Sequence, residues 1–196
     1  MRRLRVINLF HATGEPTMTA QTTDTVLYRG EDYDLIGLIA AEPITPQDFG
    51  MTPAMISTAC YRGYFCTYAI EDDRLFLVEM TLRERDGRYL PIGGIQPVAD
   101  AREATCSYKD LRIPVDYTGS LRLASGFVRE CYIHMGYQKA SAFETVLDFS
   151  LDAGRIVRVH DRSAEAARKR GAFKKHFEEN VARGIQESFD LDMDIW

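Results

Sequence analysis

The feature that most constrains the fold is a long apolar hairpin between residues 57 and 82. Its two arms, residues 57–70 and 74–82, are rich in aromatic and aliphatic residues, and the acidic run Glu71-Asp72-Asp73 separates them. A tight polar turn between two such arms is typical of antiparallel strands. Because successive side chains of a strand point to opposite faces, the apolar set of the second arm should face the core. This set is Phe76, Val78, Met80 and Leu82.

Two further hairpins follow from the same kind of pattern. Residues 26–28 and 33–39 flank a turn at Gly30, and residues 143–151 and 155–160 flank the turn Asp152-Ala153-Gly154. Between the hairpin at residues 26–39 and the one at residues 57–82, residues 42–53 contain three prolines. Proline removes a hydrogen-bond donor and fixes φ, so this stretch is predicted to be an ordered loop.

Two helices are predicted in the second half of the chain. From Ser125 to Tyr137 apolar residues recur at three- and four-residue steps, which predicts a short internal helix. From Ser163 onwards they recur every fourth position, which predicts a long C-terminal helix with one apolar stripe. The stripe is Phe173, Phe177, Val181, Ile185 and Phe189. The predicted fold class is therefore α+β, a mainly antiparallel sheet built from hairpins with the C-terminal helix packed on it.

The first 24 residues have no apolar periodicity and contain a second methionine, Met18. They are predicted to form a disordered arm, with either Met1 or Met18 as the true start. Residues 25–196 are predicted to form a single domain, because a chain of this length buries enough apolar surface to stabilise one core.

Charge and composition exclude several classes of function. The formal net charge is −5, whereas affinity for nucleic acid or an anionic membrane depends on clustered Lys and Arg. The four cysteines never form a CxxC motif, the four histidines are scattered, and no glycine-rich phosphate motif occurs. We therefore expect no metal, no cofactor, no nucleic-acid partner and no membrane span. Reduced, buried thiols predict a cytoplasmic protein, and the oligomeric state stays open.

A small enzyme is the alternative prediction. Cys131 and His134 lie three residues apart on the predicted internal helix, where their side chains would meet. In addition, residues 27–30 (Leu-Tyr-Arg-Gly) and 56–58 (Ile-Ser-Thr) are similar to the arginine motif and the Ser-Thr-Ser strand of arginine-class ADP-ribosyltransferases. In that family these motifs hold the nicotinamide cofactor, and a Glu-x-Glu strand supplies the catalytic glutamate. Here Ala59 replaces the third serine, and no Glu-x-Glu occurs.

The leading prediction is a non-enzymatic binding protein. Residues 57–68, 117–119 and 132–137 resemble small bacterial proteins of mixed sheet and helix, some of which neutralise toxins as immunity proteins. These stretches carry tyrosine and arginine, which protein interfaces favour. The resemblance implies a cytoplasmic protein-binding module, with an immunity-type inhibitor of a toxin as its specific form. The predicted binding residues are Arg62, Tyr64, Tyr117, His134 and Tyr137, and the basic cluster at residues 168–175 is a second candidate surface.

Overall fold

The computed structural model describes residues 20–133 and 136–170. Within these ranges ten strands form one mixed sheet. They are β1 (Asp24–Tyr28), β2 (Glu31–Ile39), β3 (Tyr64–Glu71), β4 (Arg74–Leu82), β5 (Val98–Asp100), β6 (Thr105–Tyr108), β7 (Ile113–Pro114), β8 (Gly119–Phe127), β9 (Phe143–Asp152) and β10 (Arg155–Asp161). Short 3-10 turns occupy Pro46–Phe49, Arg129–Cys131 and Ala140–Ala142, and residues 163–170 are α-helical (α1).

The sheet curls until its two ends meet. Seven strands follow one another in the order β10-β9-β8-β2-β1-β3-β4, and β4 pairs back with β10 through Arg74 and Arg155. Neighbours in this ring are antiparallel except β1 and β3, which run parallel. Strands β6 and β7 pair with β4, and β5 extends the sheet beyond β6. The ring therefore encloses the apolar side chains of its inner face.

The three predicted hairpins are confirmed as β1–β2, β3–β4 and β9–β10. Each turns through two residues with positive φ, as in a type I′ turn, whose twist matches that of the flanking strands. The turn residues are Arg29 and Gly30, Asp72 and Asp73, and Ala153 and Gly154. The first arm of the central hairpin begins at Tyr64 rather than at residue 57, because the preceding residues form a separate loop.

A β-bulge changes which face of β4 is buried. The pairing with β3 passes from Glu79 directly to Leu77, so Val78 is an extra residue. An extra residue shifts the inward–outward alternation of the side chains by one position. Odd-numbered residues therefore face inwards before the bulge, and even-numbered residues face inwards after it. The fully buried residues of β4 are Leu75, Leu77, Met80 and Leu82. The predicted core set is therefore right at Met80 and Leu82 but wrong at Phe76 and Val78, which are half-buried.

The sheet has a core on each face. The inner face holds the main core, whose largest fully buried side chains include Tyr68, Tyr108 and Phe149. On the outer face a smaller core forms where Ala166 of α1 packs against the sheet. The sheet residues of this second core include Ile36, Ala124 and Val146. They alternate with inner-face neighbours such as Leu35 and Leu123, as the pleat of a strand requires.

The Arg170 side chain connects α1 to the 3-10 turn Ala140–Ala142 and to the start of β9. Arg170 donates from Nε to the Ser141 carbonyl at 3.0 Å and from Nη2 to the Phe143 carbonyl at 2.9 Å. Lys169 pairs with Glu165 at 3.2 Å within the helix. Two members of the predicted basic surface at residues 168–175 thus have intramolecular partners, and residues 171–175 lie outside the described residues.

The predicted fold class is wrong, because the structure is a ten-stranded mixed sheet with one short helical stretch in the described residues. The expected internal helix does not form. Its first residues, 125–127, belong to β8, where Ser125 and Phe127 pair with β9, and only the 3-10 turn Arg129–Cys131 follows among the described residues up to Ile133. These long-range strand pairings override the local apolar spacing. Helical backbone does begin at Ser163, but the apolar stripe from Phe173 to Phe189 lies outside the described residues.

Residues 20–24, which the sequence predicts to be disordered, make specific contacts with the folded domain, and Asp24 belongs to the sheet. Ala20 forms a bridge with Gly136, and the Thr22 amide donates to the Ala59 carbonyl at 2.7 Å. Asp24 begins β1 and is buried. Residues 1–19 of the predicted arm lie outside the described residues. Among the residues the structure describes, no helix has the length and apolar character needed to cross a bilayer.

Gly154 closes the ring and should not tolerate a side chain. Its φ is +76°, and an added Cβ would lie 2.1 Å from the Val115 carbonyl oxygen. Gly30 occupies the matching position of the β1–β2 turn at φ +83°, with no atom within 4 Å. Both Gly→Ala variants should lose about 1 kcal/mol of unfolding free energy, since alanine disfavours positive φ.

We expect Gly154→Ala to lose a further 1–3 kcal/mol, roughly the cost of overpacking against backbone that cannot move away. Chemical denaturation of the two variants measures the difference. Equal losses would contradict the close approach of Val115 to this turn.

Candidate functional site

A cluster of charged and phenolic side chains lies where four chain segments converge. We call it the Asp24 cluster, and it consists of Asp24, Glu42, Arg62, Tyr64 and Tyr137. Asp24 begins β1, Glu42 follows β2, and Arg62 and Tyr64 stand at the entrance to β3. Tyr137 follows Gly136, which forms the bridge with Ala20. Elements far apart in sequence therefore build the site.

Asp24 is the centre of the cluster. Its carboxylate accepts hydrogen bonds from Arg62 Nη1 at 3.2 Å, from Arg62 Nη2, and from the Cys66 amide at 2.6 Å. The Asp24 and Arg62 side chains are only 5% and 16% exposed. A buried carboxylate needs such partners, because loss of hydration would otherwise cost several kcal/mol. The pair therefore fixes the start of β1 to the start of β3.

The second layer of the cluster covers the guanidinium group. The Arg62 guanidinium carbon lies 4.7 Å from the centre of the Tyr64 ring, and its Nη1 lies 3.7 Å from Glu42 Oε2. The Tyr64 hydroxyl donates to the same Glu42 oxygen. Arg62 is thereby held between two carboxylates and an aromatic ring.

The cluster keeps Arg62 charged and makes Glu42 harder to ionise. Burial opposes the charge of Arg62, but Asp24, followed by Tyr137 and Glu42, outweighs burial and raises the pKa of the guanidinium. The pKa of Glu42 is raised because burial, with a further contribution from Asp24, outweighs the attraction of Arg62. Burial likewise raises the pKa of Tyr137, although Arg62 acts in the opposite direction.

The two thiols beside the cluster are not activated. Burial raises the pKa of the Cys60 thiol, which donates to the Tyr64 carbonyl at 3.4 Å. Burial, together with the Asp24 carboxylate, raises the pKa of Cys66 well above its ordinary value. Because the thiolate is the nucleophile, neither group is suited to attack a substrate at neutral pH. Within the described ranges, no group of three or more His, Cys, Asp or Glu could hold a metal ion.

The structure brings three of the five predicted binding residues together. Arg62, Tyr64 and Tyr137 belong to the Asp24 cluster, although Tyr64 is buried with its hydroxyl bonded. Tyr117 lies elsewhere, and its hydroxyl donates to the Ile39 carbonyl at 2.7 Å. Burial raises the pKa of Tyr117 to about 12. His134 lies outside the described residues, so its pairing with Cys131 stays a prediction.

Sequence reasoning missed the two carboxylates of the cluster. The sequence predicts that Asp24 lies in the disordered arm and Glu42 in the proline-rich loop. The single local signal was an aspartate placed directly before the apolar strand residues that begin at Val26. A buried aspartate in that position requires a cationic partner, but nothing in the sequence identifies Arg62, which lies 38 positions away.

The loop from residue 54 to residue 63 forms the exposed side of the site. Its tip, Ser57 to Cys60, makes a tight turn, and on either side of this turn Met55 and Tyr61 are 50% and 51% exposed. Arg62 lies inside the same loop. Two large side chains, Met55 and Tyr61, are thus half exposed on the loop that also carries the buried ion pair of Arg62.

The 54–63 loop is held in place from both sides. Gln21 donates from Nε2 to the Thr58 carbonyl at 2.9 Å and accepts from the Tyr61 amide at 3.2 Å. Arg83 donates from Nη1 to the Met55 carbonyl at 2.9 Å. Residues 56–58 therefore lie in a turn, not in the strand that the ADP-ribosyltransferase resemblance implies.

The raised pKa of Glu42 gives stability a specific pH dependence. Since the folded state binds the Glu42 proton more tightly than the unfolded state, this group's contribution falls as pH rises above the ordinary glutamate pKa of about 4.3. Glu42→Gln keeps an oxygen acceptor for Tyr64 but removes the ionisation. The unfolding free energy of the wild type minus that of the variant should therefore decrease between pH 4 and pH 7.

Denaturant titrations at several pH values measure this difference, and Glu103→Gln, at an exposed position, serves as the control. A difference that stays constant or increases with pH would contradict the burial of Glu42 beside Asp24.

Comparison of the chain with models of known protein families, with curated proteins and with solved structures finds no match. The resemblance to immunity-type bacterial proteins therefore stays a prediction.

Proposed function

We propose that this chain is a non-enzymatic protein-binding module whose 54–63 loop contacts the partner. The observation that supports the proposal is the exposure of Met55 and Tyr61 on a loop whose backbone is fixed. Tyrosine and methionine are enriched at protein interfaces because they offer large contact areas, and tyrosine is a frequent binding hot spot.

Rigidity is what makes this loop suited to binding. A mobile loop must lose conformational entropy when a partner orders it, and that loss weakens affinity. Here Gln21, Arg83 and the buried Asp24–Arg62 pair order the loop in the free protein. The loop therefore loses its conformational entropy on folding and not on binding, so less of the favourable contact energy of Tyr61 and Met55 is offset when a partner binds.

The chemistry of the cluster favours binding over catalysis. The Arg62 guanidinium is engaged by Asp24 and Glu42, and the neighbouring thiols of Cys60 and Cys66 are kept protonated. A catalytic group must instead reach a substrate with a pKa suited to proton transfer or attack. The Asp24 cluster thus supports a loop that binds.

We further propose a cytoplasmic location. Cys60, Cys66, Cys106 and Cys131 are all free thiols, and three of them are buried. Free thiols fit a reducing compartment, where disulfides are rare.

The specific form we propose is an immunity-type inhibitor, which binds a toxin and blocks its action. A pull-down from lysate of the native cell with the tagged chain tests the general proposal. Proteins retained by the wild type should be lost from Tyr61→Ala, because truncating an anchor costs about 2 kcal/mol, roughly a 30-fold increase in Kd. The Kd of the purified partner then gives the magnitude.

Val98→Ala is the matched control, since Val98 is 64% exposed but lies on β5, away from the loop. Its retained proteins should equal those of the wild type. Equal retention by Tyr61→Ala and Met55→Ala, or no selectively retained protein, would contradict the proposal. If the partner is a toxin whose activity survives binding, the immunity role is wrong while the binding role stands.

A further inference from the structure

The seam that closes the ring carries two arginines face to face. Arg74 of β4 and Arg155 of β10 are the residues paired across it. Directly opposite residues of antiparallel strands project from the same face, with their Cβ atoms about 4.5–5.5 Å apart. Like charges in this position destabilise the pairing. The seam therefore joins its two strands at a point where their side chains repel each other.

Each arginine of the pair lies directly opposite a carboxylate residue of a flanking strand but forms no ion pair with it in the described structure. Glu71 is directly opposite Arg74 on β3, but its carboxylate accepts from Arg112 Nη2 at 2.8 Å and from Arg112 Nε at 3.3 Å. Asp152 is directly opposite Arg155 on β9. Among the residues the structure describes, neither Arg74 nor Arg155 forms an ion pair.

One donor of Arg74 is also unused. Its Nε is shielded from solvent and has no hydrogen-bond partner in the described structure. A shielded donor without a partner is unfavourable, because it has lost its hydrogen bonds to water without replacing them. Arg74 as a whole is half-buried and Arg155 is exposed, so both side chains are at least partly open to solvent.

The backbone makes the seam rigid enough to hold a ligand. The Leu75 amide donates to the Gly154 carbonyl at 2.9 Å, and the Ile156 amide donates to the Asp73 carbonyl at 2.9 Å. These bonds lie on both sides of the arginine pair. The Cβ atoms of the two arginines are therefore kept next to each other despite the like charges of the side chains.

We propose that Arg74 and Arg155 form an anion site that takes a phosphate group across the seam, either as free phosphate or as a phosphomonoester. A phosphate brings up to two negative charges and several acceptor oxygens, so it can accept hydrogen bonds from two guanidinium groups at once. It would screen the repulsion between the two guanidinium groups. Binding at this site links ligand concentration to the stability of the ring closure.

The thermal midpoint of unfolding tests this site with inorganic phosphate as the probe. Sodium phosphate replaces sodium chloride at constant ionic strength, and methyl phosphate and acetate form parallel series. We expect a saturable rise of the midpoint by a few degrees for the wild type with phosphate, and a smaller rise with acetate. An equal or larger rise with methyl phosphate identifies a phosphomonoester as the ligand class, and a rise with inorganic phosphate alone identifies the free anion.

Phosphate also stabilises folded proteins weakly because it is excluded from their surfaces. Variants are therefore needed to separate binding at the site from this general effect. Arg74→Gln and Arg155→Gln should each lose the saturable part of the rise. Arg158→Gln should keep it, because Arg158 is another exposed arginine of β10. An equal rise in all three variants, or no saturable rise in the wild type, would overturn the proposal.

A second measurement avoids dependence on the folding of the variants. In the wild type, the NMR signal of the Arg74 Nε–H group should move with phosphate concentration and reach a plateau. If this signal does not move at any phosphate concentration used in the thermal series, the proposal is also wrong.

Discussion

The candidate site depends on the buried ion pair between the carboxylate of Asp24 and the guanidinium group of Arg62. The carboxylate joins the first strand of the sheet to Arg62 in the 54–63 loop and to the amide of Cys66 in β3. A buried carboxylate cannot remain there without these partners, and Arg62 cannot remain there without the carboxylate. The position of the exposed Tyr61, directly next to Arg62, therefore follows from an ion pair in the interior.

The same structure separates stability from recognition. The ring of strands is stabilised by apolar residues of its inner face, such as Leu77, Leu121 and Phe149, which are fully buried or nearly so. The candidate binding residues lie instead on a loop that precedes β3, where substitutions leave the strand pairings intact. Loops on a rigid scaffold commonly carry function for this reason. The two arginines of the seam are the place where recognition and ring closure would meet.

The parts of the fold that local chemistry determines could be predicted from the sequence, and the parts that depend on distant pairing could not. The three hairpins were predictable because residues such as Gly30 and Gly154 suit a tight turn at positive φ. The predicted internal helix was wrong because pairing of Ser125 and Phe127 with β9 decided the conformation of residues 125–127. The bulge at Val78 changed which side chains of β4 face the core, so the predicted inward set was right after the bulge and wrong before it. In the site, the sequence predicts Arg62 as a binding residue, but its contact with Asp24 could not be predicted because only the fold brings the two residues together.

A double-mutant cycle on Asp24 and Arg62 tests most directly whether this pair holds the site together. The variants are Asp24→Asn, Arg62→Gln and the double variant, measured by chemical denaturation. Asp24→Asn alone should cost about 3–5 kcal/mol, because it leaves a buried charge uncompensated, and the coupling energy should be about 2–3 kcal/mol. The exposed pair of Arg112 and Glu71, with side chains 68% and 46% exposed, should couple by no more than about 1 kcal/mol. A coupling between Asp24 and Arg62 as small as that of the exposed pair would contradict the account.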